Sequence, residues 1–553
     1  MHVLRAGILV AIAAAAAALS SDPDRSLAAA PGAAAAEPWT APAGIPTPEF
    51  GIAETAPRPP SPWSQGVAGF YYVDASRREA TDDNNPFGTP AHPRQSIPLS
   101  LPPGAVVELH GSYDRAHSSP NGLHAHGTAA QPVFIRGASA TARPLVRGPW
   151  ELTATYTILE NLDFGPLDAN RTGELAVVAP GDHVAVRASD VHGNANGGGL
   201  GAVSWSPTAF LDHVVFAGNT IHDNGNVRAD FDQDVHGIAV SANVSRLWVV
   251  DNELYRNSGD GIQINGGRDG QASTHHIYVA RNIAHDNKQT GFWTKQATDV
   301  IFAENLCFGH RPGNSSYGQC MGLQYAPERV WFVSNHIHDC DFGIALSSDS
   351  DMGTGRSVFV VGNVIHRIHH SGEYNPGTGW SNAAIMMAGE TVHVVMNNTI
   401  SDVDAGINSP IGGTNVVVNN IIANVTEPDG NTVFVERGSP GPETIVRDNV
   451  FGVGARVRLG DRVFGSLELR MAPNRILGRT GEASLFVDPR GEDFRLASPA
   501  GDPQRAPADV AKVAAAYRAL YGVDLPIDVH TPGAFDALSL RPTRAPGAHP
   551  ATR

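Results

Sequence analysis

Lysine is almost missing from this chain: three occur, Lys288, Lys295 and Lys512, among 39 basic side chains in 553 residues. All the others are arginines, so each lysine marks a place where an amine able to lose its proton replaces a permanent guanidinium. Charge of either sign is scarce at 17% of residues, and the balance is −16. Such a field excludes nucleic acid and anionic membrane surfaces as bulk partners. It leaves open an acidic polysaccharide, because a local Arg, Lys or calcium site overrides the average. Cysteine is limited to Cys307, Cys320 and Cys340, which rules out a disulfide-stapled scaffold and leaves at least one thiol unpaired. Cys320 and Cys340 each stand just ahead of a strand glycine (Gly322, Gly343) and could be neighbours; the alternative is three small buried residues. Long apolar runs are missing as well, and the one from Ala6 to Leu19 is too short to span a bilayer stably. With Arg5 before it and small residues after it, it reads as a secretory signal within residues 1–30. The expectation is a soluble protein, secreted or periplasmic, with no membrane span, acting as a monomer.

Glycine and proline, by contrast, are plentiful at 59 and 40 residues. Turns therefore outnumber long helices, as in an all-β protein. Residues 31–66 are rich in Ala and Pro without apolar periodicity, which predicts an extended linker. From there to about residue 505 a short unit recurs. It reads Gly218-Asn219-Thr220-Ile221-His222-Asp223-Asn224, then Asp251-Asn252-Glu253-Leu254-Tyr255-Arg256-Asn257, then Arg281-Asn282-Ile283-Ala284-His285-Asp286-Asn287. Each copy closes on a glycine-led strand: Gly237-Ile238-Ala239-Val240, Gly261-Ile262-Gln263-Ile264, Gly291-Phe292-Trp293-Thr294-Lys295. Anchor asparagines fall at 161, 219, 252, 282, 305, 335, 363, 398, 420 and 449, with Ser189 in the same role, spaced by about 29 residues from 219 on. A repeat of this size whose runs alternate with period two is a β-solenoid, each coil burying its apolar face against its neighbours. The fold class expected is an all-β parallel β-helix over residues 67–505. Residues 506–553 supply a short C-terminal helical cap, from Ala508 to Tyr521, and a loose tail.

Tyr71-Tyr72-Val73-Asp74, then Pro102-Pro103-Gly104-Ala105-Val106-Val107-Glu108-Leu109, then Gln131-Pro132-Val133-Phe134-Ile135-Arg136-Gly137 resemble the N-terminal coils of secreted right-handed parallel β-helix (pectin-lyase-like) proteins. Polysaccharide lyases and mannuronan C5-epimerases are among them. Leu485-Phe486-Val487-Asp488-Pro489 with Asp493-Phe494-Arg495-Leu496 resembles the closing strand pair common to such proteins. The resemblance implies activity on a polymer of uronic acids, with a base that removes the C5 proton and a cation that offsets the sugar carboxylate. The epimerases carry an Asp-Pro-His-Asp motif, of which only Asp234 and His236 match here.

Chemistry is sought where the repeat is broken. The position three after each anchor alternates among His, Tyr and Phe (Phe164, His192, His222, Tyr255, His285, Phe308, His338, His366), ending at Ser401. A ligand set does not tolerate a phenyl ring in its middle, so this column reads as a stacked ladder. Asn194, Asn224, Asn257 and Asn287, five after the anchor, read as an amide ladder. Alignment on Gly237, Gly261, Gly291, Gly322 and Gly343 predicts two outward columns. They hold Ala239, Gln263, Trp293, Gln324, Ala345 and Ser241, Asn265, Lys295, Ala326, Ser347. Trp293, Gln263, Asn265 and Gln324 suit a sugar chain, ring against C–H faces and amides to hydroxyls. Lys295 or His236 is the candidate base, and Asp260 orients a neighbour or assists proton transfer. Asp230, Asp232 and Asp234, at alternate positions, form a calcium candidate. The expected function is a lyase cleaving a uronic-acid-containing polysaccharide by β-elimination. C5-epimerisation, an inverting glycoside hydrolase using Asp234 and Asp260, and a non-catalytic carbohydrate-binding solenoid are the alternatives.

Overall fold

The computed structural model describes residues 39–59, 63, 66–113, 123–166, 173–204, 206, 208–231, 233–267, 274–313, 316–346, 357–371, 383–387, 392–409, 414–426, 432–435, 444–465, 474–479, 483–497, 508–528 and 531–534. The segment expected to be a secretory signal and the end of the tail lie outside these residues. The expected solenoid is what the chain forms. Three ladders of parallel strands run along it, with each coil contributing one strand to each ladder. The first ladder includes Ile238–Val240, Ile262–Asn265, Phe292–Lys295, Gln319–Gln324 and Phe342–Leu346. A second runs through Leu211–Ala217, Val244–Val250, His275–Ala280, Thr298–Ala303 and Glu328–Val333. Short strands such as Thr220–His222, Glu253–Tyr255, Ile283–His285 and Leu306–Phe308 make the third. Strand Trp150–Glu160 pairs at one end with Leu175–Val178 and at the other with Gly181–Arg187, joining the first two ladders.

The anchor asparagines explain why each coil turns where it does. A left-handed residue precedes each: Asp251, Arg281, Glu304, Ser334, Asn397, Asn419 and Asp448 have φ between 50° and 58°, with Gly218 and Gly362 elsewhere in the series. That kink turns the chain from the second ladder into the third and aims the Asn side chain inward. Each anchor Nδ2 donates to the next anchor's Oδ1 at 2.9–3.2 Å, from Asn219 through to Asn474. The same oxygen also accepts the preceding anchor's backbone N–H, as in Asn252 N to Asn282 Oδ1 at 3.0 Å. These buried amides satisfy turn backbone that water cannot reach. The second amide ladder forms too, Asn224 to Asn257 at 2.8 Å and Asn257 to Asn287 at 2.9 Å. Between them sits the ring column: His222–Tyr255, Tyr255–His285, His285–Phe308 and Phe308–His338 stack at 4.8–5.1 Å between centroids. One anchor is out of register. Leu162, not Asn161, occupies the anchor place, since its N–H meets Ser189 Oγ. Phe164 consequently pairs with Val191 and points into the core.

The segment read as a linker has no strand or helix over residues 39–59, yet it is tied down. Ile45 and Phe50 are buried. Trp248 Nε1 donates to Pro46 O at 2.8 Å, and Arg187 donates to the carbonyls of Gly51, Ile52 and Glu54. The helix Ala508–Tyr521 lies on the same flank rather than over a terminal coil. Tyr517 bonds Gly44 O, and Trp331 Nε1 donates to Tyr521 Oη at 3.0 Å. Both elements cover an outward aromatic stripe on the second ladder, Tyr156, His183, His213, Trp248, Tyr278 and Trp331. Left bare, such a stripe would be a large apolar patch.

Candidate active site

The outward face of the first ladder carries the candidate residues, and its register differs from the one expected on glycines alone. Gly291 N–H meets Cys320 O, and Trp293 pairs with Gly322. Cys320, not Gly322, therefore stands in the glycine place of that coil, and Gln324 falls two positions from where the alignment set it. One row across the coils is Ala239, Gln263, Trp293, Gly322, Ala345; the other is Asn265, Lys295, Gln324. The cause is steric. A Cβ at position 322 would run into the Trp293 ring and Ala345 O, so glycine is placed there to let the indole lie flat across the next coil.

Behind this face sits a buried carboxylate. Asp260 is 2% exposed. Its Oδ1 accepts from Thr290 N at 3.1 Å and Thr290 Oγ1 at 2.6 Å. Its Oδ2 accepts from Gln263 Nε2 at 2.8 Å, and Gln263 Oε1 in turn accepts from Asn265 Nδ2 at 2.9 Å. A buried charge satisfied by three donors becomes a fixed point, and it orients the amides of Gln263 and Asn265 in a set direction. Asn265 then stands in register beside Lys295, and Gln324 on the other side. At about 4.8 Å per coil, the row presents amide, amine and amide along one line. The Lys295 Nζ lies 5.7 Å from the Tyr325 ring centroid, within reach of that ring's negative face. Trp293 and Gln263 are each only 6% exposed, so they form the floor of the strip rather than its rim.

His236 belongs to the same corner but not to the row. Its Nδ1 accepts the backbone N–H of Asp260 at 2.9 Å and lies 3.6 Å from Asp260 Oδ2. The expected closeness of His236 and Asp260 is therefore present, and Thr290 completes that column. Of the expected calcium ligands, Asp232 lies outside the described residues. Asp234 Oδ1 accepts from Gln289 Nε2 at 2.8 Å. Asp230 lines a pocket of about 450 Å³ with Asp286, Lys288 and Arg311, where Lys288 Nζ donates to Ala229 O and Phe231 O. Among the described residues, groups of three metal-ligating side chains gather elsewhere: Cys307, His310 and Cys320; Glu49, His183 and His213; His336, His366 and Glu492. Thr290 and Tyr325 are the site residues that the sequence pattern did not single out. Thr290 had a signal, its place directly after Asp260 in the column; Tyr325 had none beyond being aromatic after Gln324.

The fold and the strip define a right-handed parallel β-helix protein with a polar, aromatic-floored outer face. Residues 173–366 match the family model described as right handed beta helix region. No curated protein matches the chain in sequence. Solved structures similar to it include a pectate lyase, at 12% identity and TM-score 0.36, covering 60% of this chain and 76% of that one. A GH136 lacto-N-biosidase from Eubacterium ramulus is 15% identical, with TM-score 0.37 and coverage of 74% and 68%. The A-module of a mannuronan C-5 epimerase from Azotobacter vinelandii is 11% identical, with TM-score 0.37 and coverage of 68% and 89%. At these identities the neighbours' chemistry does not transfer to this chain. Among the described residues no helix is long and apolar enough to cross a membrane.

Proposed function

We propose that this is an exported carbohydrate-active protein that lays a uronic-acid-containing polysaccharide along the outer strip and cleaves it by β-elimination. The observation that carries the reading is the row Asn265–Lys295–Gln324, whose Asn265 is fixed through Gln263 by Asp260. An amine flanked by amides can take a proton from a carbon next to a carboxylate, while the amides bond the carboxylate or hydroxyls of the same sugar. In the step proposed, the lone pair of Lys295 Nζ accepts the C5 proton. The C5 electron pair forms the C4–C5 double bond, and the bond from C4 to the linking oxygen breaks, that oxygen taking a proton from solvent. Tyr325 offers a ring face for a neighbouring sugar, and the largely buried Trp293 contributes to the floor.

His236 is the weaker base in this reading, because its Nδ1 already accepts the Asp260 N–H and its ring is largely buried. An inverting hydrolase on Asp234 and Asp260 is disfavoured too. Asp260 spends both oxygens on Thr290 and Gln263, which leaves it a supporting role. The test is a panel of acidic polysaccharides followed by the ultraviolet absorbance of the unsaturated product. The wild type should generate it, and Lys295→Ala and Lys295→Arg should both lose about 10²–10⁴-fold in kcat, the usual yield of general base catalysis. Reducing ends without absorbance, C5 hydrogen exchange without chain shortening, or full activity in Lys295→Arg would each overturn the lyase mechanism.

A further inference from the structure

Four side chains that the carbohydrate site does not use meet at one inner corner of the solenoid, and each breaks a column of the repeat. The amide ladder five residues after the anchors runs Asn224, Asn257, Asn287 and then changes to His310 and Cys340. The apolar column two after the anchors runs Ile221, Leu254, Ala284 and then becomes Cys307, which pairs with Ala284. The glycine place at the head of the first-ladder strand becomes Cys320, which receives the N–H of Gly291. Every cysteine of the chain is thus gathered here.

The geometry is convergent. His310 Nδ1 lies 3.8 Å from Cys307 Sγ, 3.8 Å from Cys320 Sγ and 3.9 Å from Cys340 Sγ. All four residues are fully buried, and His310 Nε2 has no hydrogen-bond partner among the described residues. In a tetrahedral zinc centre, bonds of about 2.0–2.1 Å to nitrogen and about 2.3 Å to sulfur put nitrogen and sulfur about 3.6 Å apart. The observed separations are near that spacing. The structure joins Cys320 to Cys340 and leaves Cys307 as the buried free thiol. Disulfide and metal are mutually exclusive states of these sulfurs. A disulfide accounts for only two of the four departures from the repeat. It leaves the third sulfur, whose S–H donates to Cys320 O at 3.2 Å, and the imidazole aimed at the same point.

We propose that Cys307, His310, Cys320 and Cys340 form a structural zinc site of the three-cysteine, one-histidine type. The site is closed, with four protein ligands and no open position, so it holds the fold rather than performing chemistry. It ties the turn after Leu306–Phe308 to the strand carrying Gly322 and Gln324, just behind the indole of Trp293. It stands where the amide ladder stops, and a metal replaces the cross-coil bonds the asparagines supply elsewhere. Because ligands must deprotonate and gather to bind, loading accompanies folding.

Zinc content and thiol count, measured on full-length protein purified without chelator, test this. The expected result is about one zinc per chain, with all three thiols titrating after denaturation in chelator without reductant. If instead the chain arrives as the disulfide, reduction followed by anaerobic addition of cobalt(II) should give the sulfur-to-cobalt charge-transfer band and tetrahedral visible bands of a thiolate site. His310→Ala should weaken cobalt binding by about 100-fold, the upper end of what loss of a mere supporting group costs, and Cys307→Ser should diminish the charge-transfer band. No metal as purified and no cobalt spectrum after reduction would overturn the proposal. So would a cobalt spectrum unchanged in both variants.

Discussion

Asp260→Asn is the sharpest test of the strip, because it removes a charge while keeping the shape. In the native chain Oδ1 takes both donors of Thr290, and Oδ2 takes the Gln263 amide. An asparagine can keep its oxygen toward Thr290 but must then turn its own NH₂ toward the Gln263 NH₂, donor against donor. Gln263 can escape only by flipping, which turns its NH₂ toward Asn265 Nδ2 and moves the conflict one residue along. The partly exposed Asn265 can turn over in its turn, so the cost is the loss of charge-assisted bonds to Thr290 plus the re-orientation of both amides, about 1–3 kcal/mol. Asp260→Ala leaves the Thr290 N–H, its hydroxyl and the Gln263 amide without their acceptor, so a larger loss of about 2–5 kcal/mol is expected. Urea unfolding of the purified variants gives both values from the midpoint shift at constant slope. The decisive arm is the pair with Gln263→Leu, which removes the opposing amide. In that background the Asp260→Asn cost should be smaller, since the donor-against-donor contact is gone. Equal costs in the two backgrounds would refute the chain of donors from Thr290 to Asn265, and with it the claim that Asp260 aligns the amides beside Lys295.

Asn282→Ala should destabilise by about 3 kcal/mol in the same urea assay, because Val249 O, Ala280 O and the Asn252 N–H all lose a partner inside the coil. A change below about 0.5 kcal/mol, typical of surface positions, would mean the amide ladder is not holding the turns. His393 supplies a pH test: burial, partly offset by the bond to Asn415, pushes its pKa down to about 4 from 6.5. With the folded value depressed, its stabilisation is complete above pH 6.5 and is lost as pH falls toward 4, since only the unfolded chain takes the proton readily. The wild type should therefore lose about 3 kcal/mol more than His393→Leu between pH 7.5 and pH 4, and parallel stability curves would contradict this.

How much of this was legible in the sequence follows from what repeats. Anchor asparagines, the ring column and the alternating strands recur about every 29 residues, so their roles could be read by comparing the chain with itself. Register across coils was legible only where nothing was inserted. At Cys320–Gly322 two plausible glycine places compete, and only the packing of Trp293 on Gly322 decides between them. Asn161 misled for a similar reason: one Asn next to a turn looks like another until Ser189 Oγ is seen to meet Leu162 N–H. The strip's outward residues were visible as breaks in pattern, whereas the bonds that fix them, Thr290 to Asp260 to Gln263, depend on side-chain direction that spacing does not carry.

The flank holds the remaining lesson, and it concerns how a solenoid uses residues outside its repeat. An outward aromatic stripe costs nothing within a coil, where rings at 4.3–6.0 Å stack favourably along the axis. Its outer side must still be covered, and a repeat cannot cover itself. The chain recruits two non-repeating pieces for that task, the proline-rich segment around Ile45 and Phe50 and the helix Ala508–Tyr521. Composition marked the first as a linker because proline and alanine carry no periodicity. In an extended segment, however, periodicity is not what buries a side chain: carbonyls free of secondary structure meet Trp248 and Arg187, and Phe50 packs edge-on against Tyr156 and His183. The covering pieces and their bonds belong to the second ladder, and the chemistry is proposed on the first, where Asn265, Lys295 and Gln324 share a row.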